Sequence, residues 1–106
     1  MEAMMALELN DNNFDATIKE GISVIDFWAP WCGPCKMMTP VVDKIAANNP
    51  DLKVGKVDID ESSQIAQKYN VMSIPTIIIF KDGEPVDQTV GVVNEKALMT
   101  KINAVK

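Results

Sequence analysis

Phe27-Trp28-Ala29-Pro30-Trp31-Cys32-Gly33-Pro34-Cys35-Lys36 holds both cysteines and both tryptophans of the chain. Two thiols separated by two residues can close into a small ring and reopen. Gly33 lets the backbone turn tightly, and Pro34 presets the φ of a first helical turn. Beyond it Cys35, Met38, Val42 and Ile45 recur at helical spacing with Val41 beside them, which puts Cys35 on an inward stripe. Cys32 precedes that helix, at its positive N-terminal end, where a thiolate is favoured. An exposed attacking cysteine followed by a buried resolving one is an arrangement for thiol–disulfide exchange.

On either side of this stretch the chain alternates between strand and helix patterns. Ser23 to Ala29 is a β-rich apolar run broken only by Asp26, the pattern of a central strand covered on both faces. Before it, Ala6-Leu7-Glu8-Leu9 reads as a short strand, and a short helix is expected from Asn12 to Glu20, stopped by Gly21. After it, the main helix is expected from Pro34 to Asn48, with a kink at Pro40, where a backbone donor is missing. Leu52 to Val57 is a second internal strand. Asp60-Glu61-Ser62-Ser63 opens a helix with Ile65, Ala66 and Tyr69 on its apolar side. Thr76 to Phe80 is the most β-prone run, Asp82-Gly83 makes a tight hairpin turn, and Pro85 to Val90 returns as an edge strand. A last helix spans Asn94 to Ala104, with Leu98 and Ile102 inward.

The order β-α-β-α-β-α-β-β-α predicts an α/β fold. Its βαβ units imply parallel pairing and its final hairpin an antiparallel pair. The expected architecture is a central mixed sheet of about five strands with helices on both faces. At 106 residues the chain is expected to be one domain over 1–106. It can bury about two-thirds of its unfolded surface without a staple. A net charge of −5, from 10 basic and 15 acidic residues, argues against a general nucleic-acid binder and against an anionic membrane surface. Met1 to Asn13 has neither the basic start nor the apolar run of a signal peptide, and no stretch approaches a membrane span of about 18 apolar residues. The expected compartment is the cytoplasm, where a disulfide is more often catalytic than structural.

Trp31-Cys32-Gly33-Pro34-Cys35-Lys36 resembles the active site of the thioredoxin family. The likeness extends through Asp26-Phe27-Trp28-Ala29, Lys56-Val57-Asp58, Ile74-Pro75-Thr76, Lys81-Asp82-Gly83 and Val90-Gly91, and leaves only the first few residues outside the pattern. It implies the thioredoxin fold and a dithiol–disulfide oxidoreductase, a protein-disulfide reductase cycling through a mixed disulfide on Cys32 and resolution by Cys35. It also implies that Asp26 lies behind Cys35 and handles its proton, with Lys56 beside it. Pro75 would form a cis peptide packed on the dithiol. Trp31, Gly33, Pro34, Ile74, Gly91 and Val92 would surround Cys32 as a substrate-binding face, holding an extended peptide by backbone bonds. The resemblance further implies a monomer with no bound cofactor. Its partners would be disulfide-containing proteins and a separate flavin-dependent thioredoxin reductase fed by NADPH, or one linked to ferredoxin.

Plainer readings stand beside these. The cysteine pair could be a structural bridge, although so short a loop gives only about 2 kcal/mol by chain entropy. It could be half of a zinc site, but zinc wants four ligands and the chain has no histidine and no further cysteine. The missing histidine also excludes the Cys-Gly-His-Cys and Cys-Pro-His-Cys variants of more oxidising relatives. Asp26 could sit on a bulge or an exposed edge, Lys56 could be an ordinary solvated lysine, and Pro75 could be strand punctuation. The spacing Asp58-Asp60-Ser62 is that of a calcium loop's start, but the glycine and glutamate such a loop needs later are absent. Met72-Ser73 and Val92-Val93 depart from common family patterns, which leaves substrate and reductase preference open. Met37 and Met38, next to the dithiol, read as core or surface filling, with redox sensing as the alternative. Two further classes remain, a docking module indifferent to redox state and a dimeric metal carrier.

Overall fold

The computed structural model describes residues 6–106. The first five residues, where the start was read as lacking a signal peptide, lie outside the described residues. The elements run β1 (Leu7–Leu9), α1 (Phe14–Ile18), β2 (Ile22–Trp28), α2 (Gly33–Asn48), β3 (Lys53–Asp58), α3 (Ser63–Lys68), β4 (Thr76–Lys81), β5 (Glu84–Val90) and α4 (Glu95–Val105). This is the predicted order, and the strands form one sheet ordered β1-β3-β2-β4-β5.

β2 occupies the middle because its sequence can be buried on both faces. All five of its interior residues, Ser23 to Phe27, are buried. It pairs in parallel with β3 and antiparallel with β4, in register Asp26↔Lys56 and Asp26↔Ile77. The alternating side chains feed two cores. On one face Val24, Val54, Ile77 and Ile79 pack against Met38, Val42 and Ile45 of α2 and Leu98 and Ile102 of α4. On the other, Ile25, Phe27, Ile78 and Phe80 pack against Phe14, Ile18 and Ile65. Phe14, Tyr69 and Phe80 close that side as an aromatic triad with centroids 5.1–5.8 Å apart.

The hairpin between β4 and β5 turns where Asp82 and Gly83 both take positive φ, 51° and 90°, the pattern of a type I′ turn. Pro85 lies in the outer strand, where no further ladder needs its missing donor. Pro40 sits inside α2, which runs through it to Asn48.

One element is shorter than its pattern suggested. The helix expected from Asn12 to Glu20 is confined to Phe14–Ile18. Asn10 and Asn13 spend their side chains on local backbone amides, 2.7 Å from the Asn10 N–H and 2.8 Å from that of Asn12, and so hold a turn where the helix was expected to begin. At the other end the Gly21 amide is drawn off to Asp82 Oδ1, 2.8 Å away.

Candidate active site

α2 starts at Gly33 and carries Pro34 in its first turn. The N-cap is Cys32, in extended conformation, and its sulfur takes the capping place usually filled by oxygen: Cys35 donates its backbone N–H to Cys32 Sγ over 3.2 Å. Cys32 and Cys35 are joined in a disulfide, with their Cα atoms 5.3 Å apart. A helix start presents unsatisfied N–H groups and a positive dipole end. The sulfur placed there is the one whose negative charge would be favoured once the bridge opens.

The burial of the pair corrects one expectation. Cys35 is buried as expected, but Cys32 is also buried, at 5% exposure. In the bridged form the two cysteines pack together with Ala29 under Trp28, Ile59 and Ile74, and this cluster covers the outer sulfur.

The site residues expected around the pair occupy three segments. Trp31 is 68% exposed and is held by its indole N–H, which donates to Asp60 Oδ2 at 2.8 Å. Gly33 and Pro34 are exposed at the helix start. Ile74 packs on the cysteines, and its peptide bond to the buried Pro75 is cis, as the resemblance implied. Gly91, at φ 97°, donates its N–H to Pro75 O at 2.8 Å and so ties the third segment to the second; Val92 follows, exposed. Met37 and Met72 add exposed apolar side chains.

Asp26 is neither on a bulge nor at an edge. It is fully buried in the regular ladder of β2, on the face covered by α2, and neither carboxylate oxygen has a hydrogen-bond partner among the described residues. Burial pushes its carboxyl up to about 7; the Lys56 ammonium opposes that rise and Asp43 adds to it. Lys56 is not an ordinary solvated lysine. It is half-buried beside Asp26 on β3, and its Nζ lies over the Trp28 ring, 5.5 Å from the centroid. A buried acid poised near neutrality can hold a proton or take one, which a surface aspartate cannot do at pH 7.

Three residues escaped the sequence reading. Asp60 was absorbed into a helix-opening cluster, although its spacing from Trp31 carries no signal. Asp43 borders the inward stripe of α2, and only its place there could have linked it to Asp26. Met38 was read as filling, yet its sulfur accepts the Val93 N–H at 3.4 Å. Among the described residues no group of three or more His, Cys, Asp or Glu could hold a metal, and no helix is long and apolar enough to cross a membrane.

Comparison with known proteins agrees with this geometry. The family model described as Thioredoxin matches residues 5–104. A thioredoxin of Staphylococcus saprophyticus is 49% identical over 89 residues, covering 83% of this chain and 86% of the relative. One from Staphylococcus aureus strain Mu50 is 48% identical over the same length and shares. A solved structure of a mutant thioredoxin from Halobacterium salinarum NRC-1 superposes with a TM-score of 0.88 at 36% identity, over 98% of this chain and 93% of that one. In this chain the bridged cysteine pair stands at a helix start on a five-stranded mixed sheet, and its chemistry is dithiol–disulfide exchange. The chain belongs to the thioredoxin family.

Proposed function

We propose that this protein-disulfide reductase works by attack from Cys32 and resolution by Cys35. The Cys32 thiolate attacks one sulfur of a substrate disulfide, and the other substrate sulfur leaves as a thiolate. Cys35 then gives up its proton and attacks Cys32 Sγ, the second substrate sulfur leaves, and the Cys32–Cys35 bridge closes. The substrate gains two electrons and the chain loses them. Asp26 takes the Cys35 proton, and Lys56 keeps that acid from drifting too far above neutrality. The observation that carries this reading is the asymmetry of the pair: Cys32 Sγ accepts the amide of Cys35 at the helix start, while Cys35 sits on the buried stripe.

The docking face is formed by Trp31, Gly33, Pro34, Ile74, Pro75, Gly91 and Val92. The tie from Gly91 to Pro75 supports this reading, since it holds two of the three segments at one place. An extended peptide laid there is recognised by backbone bonds and apolar contact, which demands little of its sequence. The family generally carries no cofactor of its own. Electrons come from a separate flavin-dependent thioredoxin reductase using NADPH. The chain acts as one domain over 1–106, as a monomer, in the cytoplasm.

Insulin reduction driven by dithiothreitol tests the assignment. The wild type should precipitate the freed insulin chains, and Cys32→Ser and Cys35→Ser should not. Cys35→Ser should accumulate a mixed disulfide with insulin and Cys32→Ser none. In the reduced protein at pH 7, iodoacetamide should label Cys32 well before Cys35. Equal labelling, or trapping by Cys32→Ser, would overturn the roles.

A further inference from the structure

The Gly91–Val93 segment is pinned at both ends. Gly91 is tied to Pro75, and Asn94 caps α4 by accepting the Ala97 N–H on its side chain at 2.8 Å. Between them, Val92 turns outward at 45% exposure and Val93 turns inward against the core of Val24, Met38 and Val42. The Val93 N–H turns inward as well, into a part-buried position where an acceptor within the protein replaces water. It finds the thioether of Met38, 3.4 Å away on a side chain with no exposure at all. Leu, Ile or Val at position 38 would fill similar space but could accept nothing. Met38 also lies one helical turn beyond Cys35 on α2, so whatever its sulfur holds is held relative to the dithiol.

We propose that Met38 is a positioning residue for substrate docking: its buried sulfur fixes the Gly91–Val93 wall against the dithiol helix, and so sets affinity for protein disulfides. This rests on the docking face proposed above. A thioether is a weak acceptor, so its share is at most that of one ordinary hydrogen bond. A small disulfide that reaches Cys32 without lying along the wall gains nothing from it.

Met38→Leu keeps the volume and removes the acceptor, a swap that cores tolerate well. With dithiothreitol as reductant, KM for insulin should rise about two- to fivefold at unchanged kcat, the effect of losing at most one hydrogen bond. Reduction of dithiobis(nitrobenzoate) should keep its wild-type rate. The Val93 amide should exchange with deuterium faster than in wild type, while the Leu98 amide, bonded to Asn94 O at 3.2 Å, should not change. A general loss of stability would move both amides and both substrates together, and that outcome overturns the proposal. So does an unchanged KM, or a Val93 amide that is unprotected in the wild type, a measurement that needs no variant. Met38→Ile repeats the test should the leucine variant fold poorly. Val92→Asp separates the two ideas. If it leaves KM for insulin unchanged, the docking face itself is wrong; if it raises KM while Met38→Leu does not, only the role of Met38 falls.

Discussion

Asp26 and Lys56 stand opposite one another in the parallel register of β2 and β3, yet neither oxygen of Asp26 accepts a hydrogen bond from any of the described residues. The lysine's cation lies over Trp28 instead. Asp26 is therefore influenced by a charge that it does not pair with. A firm salt bridge would have held the carboxyl ionised throughout the physiological range. Burial prevails here, and the lysine only limits the rise.

Charge deletions around Asp26 should therefore move its titration in opposite directions. Lys56→Met removes the opposing cation and should raise the Asp26 pKa beyond about 7. Asp43→Asn removes the like charge and should lower it. Carboxyl carbon chemical shifts followed from pH 4 to 10 would read both. A Lys56→Met variant titrating where the wild type does would mean that the lysine's charge is spent on Trp28 and solvent.

Packing around Gly55 gives a stability prediction. A Cβ built there would lie 2.6 Å from Leu9 Cδ1, 2.9 Å from Leu9 Cγ and 3.4 Å from Ile25 Cδ1. Gly55→Ala therefore has to push Leu9 aside, on a strand only three residues long at the sheet's edge. The expected loss is about 1–3 kcal/mol, seen as a lower urea midpoint at unchanged slope. In a Leu9→Ala background the same substitution should cost much less, because the clash goes with the leucine. Equal costs in both backgrounds would mean that the strain lies in the backbone.

What the sequence disclosed depended on how local each cause was. β2 and α2 were legible to within a residue or two, since an apolar run and a 3.6-residue stripe are written in neighbouring positions. The order of elements followed, and with it the mixed sheet. α1 was overdrawn, because the side chains of Asn10 and Asn13 compete for the amides of the preceding turn and Asp82, 61 residues away, claims the Gly21 amide. Cys32 was expected to be exposed because exposure depends on Ile59 and Ile74, which arrive from other segments. The hydrogen bonds from Trp31 to Asp60 and from Val93 to Met38 join residues 29 and 55 positions apart, and no periodicity announces them.

Replacing Asp26 should make the protein more stable and slower. The carboxyl titrates at about 7 in the folded chain and near 3.9 when unfolded. Between those values the native state holds a proton that the unfolded state has released. Its contribution to stability is complete below about pH 3.9, declines as pH rises through the window, and is gone above about 7. The full swing is on the order of 4 kcal/mol. Asp26→Asn cannot ionise and keeps a neutral group of similar shape, so it escapes the decline. Its advantage over wild type, measured on the oxidised form by urea denaturation, should be largest at pH 8 and fade toward pH 4. The same change removes the group that takes the Cys35 proton, and an amide cannot replace it. A positioned base is worth about 100-fold or more in many proton transfers, so release of the mixed disulfide should slow by a factor that approaches this. The slowing should shrink at high pH, where Cys35 loses its proton to solvent unaided. A variant no more stable than wild type at pH 8, or a gain that does not vary with pH, would mean that Asp26 is solvated or firmly paired. A variant that gains stability but resolves mixed disulfides at the wild-type rate would leave the acid buried as described and assign the proton of Cys35 to another acceptor.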